Sequence, residues 1–231
     1  MRAHDPPREL LSLDDYRRRY AQYRSDADLQ ALHAAHPMIW IWDDHEIIND
    51  AWKDGADNHD AQTEGDHLLR RATAAQVAHE WLPIRSPSAD EPIRATRNVV
   101  IFTGDAHESY AFDVTDDPNN PAAYARLGGD GAAAAEFVAP SITSRGDAEP
   151  LNSLSGVLDA VADGAERLLR VTNPHLRFFD NRHNGYVYAR VAADRLSAEF
   201  WHVPQVREPT DEQVLAARFD VQDGRPGVVR A

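Results

Sequence analysis

The chain has 231 residues, with 24 Lys and Arg against 38 Asp and Glu, a formal net charge of −14. So acidic a chain excludes broad non-specific nucleic-acid binding, which needs a basic face for phosphate contacts. Hydrophobic residues at 42% and the absence of cysteine argue for a folded protein of one large or two small domains, without disulfides, thiolate zinc sites, iron–sulfur clusters or cysteine nucleophiles.

A phosphate-bearing substrate stays admissible, because bound cations invert the local field. The amino terminus, Met1 to Pro7, is polar and lacks the apolar core of a signal peptide, so no export signal is predicted and the compartment stays open. No stretch reaches the roughly 18 apolar residues of a membrane span.

In chain order, Leu13-Asp14-Asp15 starts a helix, with acids placed to meet its dipole. Tyr16, Tyr20 and Tyr23 recur at helical spacing and are expected to pack on one face. A second helix starts at Asp26-Ala27-Asp28 and runs to His36, where Pro37 ends it. The five apolar residues Met38 to Trp42 predict a buried central strand. Asn49 to Glu64 is polar and without period, hence a loop, and a helix follows from Gly65 to Trp81. Ser86 to Pro92 reads as a turn. Strands are predicted at Val99 to Phe102, Ser109 to Val114 and Glu136 to Val138, with a helix over Val157 to Val171. Gly185 to Val191 and Leu196 to Val203 alternate as a hairpin. Residues 205–231 read as a weakly patterned acidic tail.

Two places share one design: an apolar strand running into a burst of metal-compatible side chains. One is Asp43-Asp44-His45-Glu46 after Trp42; the other is Gly104-Asp105-Ala106-His107 after Thr103. In open α/β sheets the carboxyl ends of strands hold ligands, so the two bursts are expected over one crevice. Carboxylates suit hard cations and imidazole suits iron or zinc, so the mixed set favours a binuclear centre. In extended backbone Asp105 and His107 would face one side, with Gly104 supplying the sharp turn before them. Such a metal pair clamps a phosphoryl group while a histidine protonates the leaving oxygen. Loop capping is the competing explanation for either burst alone; it accounts poorly for the pair.

Trp42-Asp43-Asp44-His45-Glu46, followed by Asn49-Asp50, resembles the signature of the PhoD-like alkaline phosphatases, a branch of the calcineurin-like metallophosphoesterases. The resemblance continues through Leu13 to Tyr20, Glu80 to Arg85, Thr103 to His107, Glu136-Phe137-Val138, Ser141 to Ser144, Asn173-Pro174-His175 and Gly185-Tyr186. It implies a two-sheet α/β sandwich flanked by helices, and metal-dependent hydrolysis of phosphate mono- or diesters. It also implies a binuclear or multinuclear centre of iron and calcium. By the same resemblance Asp44, Asp105 and His107 are metal ligands and His45 is the catalytic acid beside the phosphate. Asp43 and Asn49 are supporting or ligand candidates; Asn173, His175 and His183 are expected to be structural. Relatives are typically exported and carry an upstream Gly-Asp-x-x-Tyr block with the metal-bridging aspartate. Residues 1–204 are therefore expected to be the carboxyl-terminal part of the catalytic domain, the sandwich incomplete at its amino-terminal side, with a missing segment or second chain as a partner. Two other readings stay open: an inactive remnant, and a phosphate-binding module without turnover.

Overall fold

A computed structural model describes residues 3–83, 98–144 and 167–231. The chain divides into two compact units, Met1–Pro92 and Ile93–Ala231. The turn predicted at Ser86 to Pro92, Ile84 and Arg85 of the family-like block, and most of the helix predicted from Val157 lie outside the described residues; residues 167–172 are helical.

The first unit is helical. Helix α1 (Leu13–Arg24) is closed by a capping box in which Ser12 accepts from the Asp15 N–H and Asp15 accepts from the Ser12 N–H. Asp15 is buried, and a two-pronged ion pair with Arg8 at 2.6 and 3.0 Å balances its charge. Asp26 caps α2 (Ala27–Ala35) and Asp66 caps α4 (His67–Trp81); between them lies the single-turn α3 (Ala61–Glu64), inside the stretch expected to be all loop. Tyr16 is the anchor of this unit. It is 1% exposed among Ile47, Ile48, Ala56, Ala74 and Val77, and its hydroxyl donates to the Ile47 carbonyl at 2.8 Å while accepting from Arg70 Nε. That bond ties α1 to the segment just after the Asp-Asp-His-Glu burst, so helix packing sets where the burst stands. Arg17 of α1 also grips Glu80 of α4 with two 2.7 Å bonds.

The expected central strand at Met38 to Trp42 does not form. The backbone there pairs with no strand among the described residues, and Ile39 is 67% exposed, with Met38, Trp40 and Trp42 also open. An apolar run becomes a strand only where a neighbour completes its hydrogen-bond ladder, and apolar composition alone supplies none.

The second unit is a sandwich of two four-stranded sheets. The first contains β1 (Val99–Thr103), β2 (Ser109–Val114), β3 (Ala134–Val138) and β4 (Leu176–Asp180), in the order β1-β3-β2-β4. Among the described strands only β1 and β3 run parallel, so the rule for open parallel sheets covers a single described pair. The second sheet is an antiparallel meander of β5 (Gly185–Val191), β6 (Arg195–His202), β7 (Val214–Gln222) and β8 (Arg225–Arg230). The predicted β5–β6 hairpin is therefore present. Residues 205–231, in contrast, are not a weakly patterned tail: Ala217, Phe219 and Val221 alternate inward from β7 and Val228 from β8. They meet Ala111, Ala135 and Phe137 of the first sheet and Ala198 and Phe200 of β6 in one core. Phe178 packs its ring 5.0 Å from Phe200 and 5.8 Å from Phe219.

The family-like blocks of this unit have structural work. Gly185 lies so close to β6 that a Cβ would stand 2.0 Å from the Trp201 carbonyl oxygen, which only glycine avoids. The Ser141 carbonyl accepts from the Gly185 N–H and the Asn184 amide, pinning the segment after β3 to the start of β5. Asn173 donates to the Leu169 carbonyl, and His175 stacks on Phe112 at 5.5 Å.

Candidate metal-binding site

In the first unit the Asp-Asp-His-Glu burst is a short 3-10 turn, Asp44–Glu46, with Asp43 as its cap. Asp43 Oδ1 accepts from the Asp44 N–H at 2.9 Å, and Glu46 reaches back to accept from the Asp43 N–H at 2.7 Å. The turn folds the burst around its histidine. His45 Nδ1 lies 3.1 Å from Asp44 Oδ1 and 3.3 Å from Asp43 Oδ2, while Nε2 donates to Asn49 Oδ1 at 2.8 Å. Left-handed backbone at Asp50 (φ 55°) lets its N–H donate to Asp44 Oδ2, and the Asn49 amide donates to Asp50 at 2.6 Å. Four of the six sequence-predicted residues, Asp43, Asp44, His45 and Asn49, are thus drawn into one hydrogen-bonded cluster.

The electrostatics follow from that geometry. Partial burial works against a charged imidazole at His45, but the Asn49 and Asp43 bonds and the Asp44 carboxylate outweigh it and hold its pKa above the ordinary value. Both ring nitrogens face oxygen acceptors, the pattern of a protonated imidazole. Burial does the opposite to Glu46. Its carboxyl is pushed up to about 7, with the backbone bond to Asp43 resisting and the Asp43 charge adding to the rise.

That shift has a testable sign. A carboxyl whose folded pKa is raised gives up stability as pH climbs from its unfolded value of 4.5 to about 7. Glu46→Gln keeps an acceptor for the Asp43 N–H and removes the buried charge. The variant is expected to match the parent at pH 4 and to be more stable at pH 9, by on the order of 3 kcal/mol at full ionisation. Thermal melts at the two pH values check this; equal melting at pH 9 would contradict it.

In the second unit the remaining two residues share the β1–β2 loop. The backbone is not extended there. Asp105 (φ 72°) and His107 (φ 56°) are both left-handed, so they make the sharp turn themselves, and Gly104 has no positive φ. Asp and His tolerate this region better than most residues, and such outliers gather at functional sites. The Ala106 N–H donates to the Gly104 carbonyl at 2.9 Å, tightening the loop. Both side chains are therefore presented by a strained loop rather than by alternation along a strand.

A family model for PhoD-like phosphatases matches residues 1–97 and 92–200. The chain belongs to the PhoD-like phosphatase family. Alkaline phosphatase D of Bacillus subtilis (strain 168) is 45% identical to it over 80 residues, 35% of this chain and 13% of that protein. A solved structure described as "Structure of PhoD" superposes with a TM-score of 0.68 over 96% of this chain and 60% of the other, at 22% identity, a likeness of fold. The chain thus spans less than two thirds of these relatives. In this member of the family, no helix among the described residues is long and apolar enough to cross a membrane.

One further set of metal-compatible residues was missed by sequence reasoning. Asp180 at the end of β4 accepts from His183 Nδ1 at 2.9 Å, and the His183 ring stacks on that of His202 at 5.1 Å. Of these only His183 is singled out in the sequence, as a residue expected to be structural. Asp180 and His202 are single residues at strand ends, and no local spacing joins them.

Proposed function

We propose that the chain hydrolyses phosphate mono- or diesters with the help of bound metal ions. Asp44, Asp105 and His107 are the ligands in this reading, His45 the acid, and Asp43 and Asn49 the residues that hold His45. The observation that carries it is His45, held between two carboxylates and an amide that raise its pKa, in the block most specific to the family. The donors fit the expected metals, since carboxylates suit calcium and an added imidazole suits iron. Bound ions would neutralise the phosphoryl oxygens and ease ionisation of the attacking water.

The protein's own groups do the rest. The proton on His45 Nε2, resting on Asn49 Oδ1, is the one delivered to the leaving oxygen. Asp43 and Asp44 hold Nδ1 so that the ring keeps its orientation as the proton leaves. The raised pKa keeps the acid protonated further towards alkaline pH than an ordinary histidine.

Hydrolysis of bis-p-nitrophenyl phosphate at alkaline pH, with Ca²⁺ and Fe³⁺ added, tests the reading. Turnover is expected, and it should be abolished by a chelator and by His107→Ala. Absence of turnover from a folded, metal-loaded chain would overturn it.

A further inference from the structure

We propose that Asp180, His183 and His202 form a second cation site, selective for a borderline divalent ion such as Zn²⁺ or Co²⁺. Each residue offers one ligand atom, and the three atoms lie within 4.8 Å of one another. They come from three places in the second unit: the end of β4, the turn into β5 and the end of β6. One carboxylate and two imidazoles is a donor set that zinc and ferrous iron favour and that calcium and magnesium do not.

The surroundings are built for the task. Ser109, which faces Asp180 across the β2–β4 ladder, meets His202 Nε2 with its Oγ at 3.0 Å, and both residues are buried. A ligating imidazole is commonly fixed in this way, one nitrogen tied to a protein oxygen and the other turned to the ion. That assigns Nδ1 of His202 to the cation. Asp180 is oriented as well: its Oδ1 accepts from the backbone N–H of Arg182 and of His183, both at 3.0 Å, which directs Oδ2 outward to the cluster. His183 is the exposed member. Its side chain is 47% exposed, and its ring now lies nearly parallel to that of His202, at 15°. On capture of the ion the proton that His183 shares with Asp180 passes to solvent as the cation takes its place.

A plain Asp–His pair explains the 2.9 Å contact but not a second, buried imidazole held by Ser109 beside it. Asp44, Asp105 and His107 take no part in this site, which stands whether or not the chain hydrolyses esters.

The test starts from the full chain carrying Asp44→Asn, Asp105→Asn and His107→Ala, which silences the other ligands. Titration with Co²⁺ should give one equivalent bound, with the visible absorption of a four- or five-coordinate ion, and Zn²⁺ should displace it. Adding His183→Ala should weaken binding about tenfold or more. Because His183 is half-exposed, that variant is expected to fold, as circular dichroism can verify; buried His202→Ala is the second arm. Failure of the silenced chain to bind Co²⁺, or binding indifferent to His183→Ala, would overturn the proposal. Ester hydrolysis by the parent chain is unaffected by either result, so the two readings fail separately.

Discussion

His45→Ala is expected to reduce hydrolysis by about 10²–10⁴-fold where the leaving group is a poor one, such as an alkyl alcohol, because the leaving oxygen then lacks its proton donor. With p-nitrophenyl esters, whose leaving group departs readily as an anion, the loss should be much smaller. This contrast separates an acid from a residue that merely shapes the loop, since misfolding would penalise both substrates alike. The pH profile offers a second readout. The alkaline limb of the parent, where activity falls as His45 loses its proton, should lie above the ordinary histidine value of 6.5, and it should move down in Asn49→Ala, which removes the acceptor at Nε2. Stability carries the matching sign: the contribution of His45 is complete below 6.5 and is lost as pH rises through its folded value. Equal losses on both ester types would refute the assignment of His45 as the acid.

The largest effect on stability is expected at Asp113. This carboxylate is wholly buried in β2, where it accepts from Arg177 Nε at 2.7 Å, from the Tyr124 hydroxyl at 2.7 Å and from the Val228 N–H at 2.6 Å. It thereby joins the first sheet, the connection to β3 and the last strand. Asp113→Ala leaves a guanidinium without its counter-charge and orphans two further donors, at a cost of about 3–5 kcal/mol. Tyr124, whose pKa is raised first by burial and then by its bond to Asp113, would lose that partner as well. Urea denaturation followed by circular dichroism reads the loss as a lower midpoint. Adding Arg177→Met should recover part of it, because the stranded charge goes too. A midpoint within about 0.5 kcal/mol of the parent would show that the network contributes little.

Much of the fold is readable from local chemistry. Ser12, Asp26 and Asp66 mark helix starts because a side-chain oxygen satisfies the free N–H groups at a helix end, and that need is settled within three residues. Strands β2 and β5 betray themselves by alternation or β-branched runs, and the Asp-Asp-His-Glu burst announces both its family and its metal-friendly chemistry. The last hairpin was also legible in principle: Leu215 to Val221 alternates, but three of its residues are alanine or arginine, and so weak an apolar contrast conceals the period.

What the sequence by itself determined is therefore the helix caps, most strands, the acidic balance, and the residue types that suit a metal phosphatase. Tertiary structure alone decided the rest, because the deciding partners are distant in the chain. Met38 to Trp42 has strand composition, yet it remains open because no described strand lies beside it to complete the ladder. Asp105 and His107 are fixed by a left-handed loop between two paired strands, a backbone state their spacing does not encode. Asp180, His183 and His202 become neighbours only when β4, the turn after it and β6 meet, since side-chain periodicity reports which face a residue takes, whereas packing selects what stands opposite.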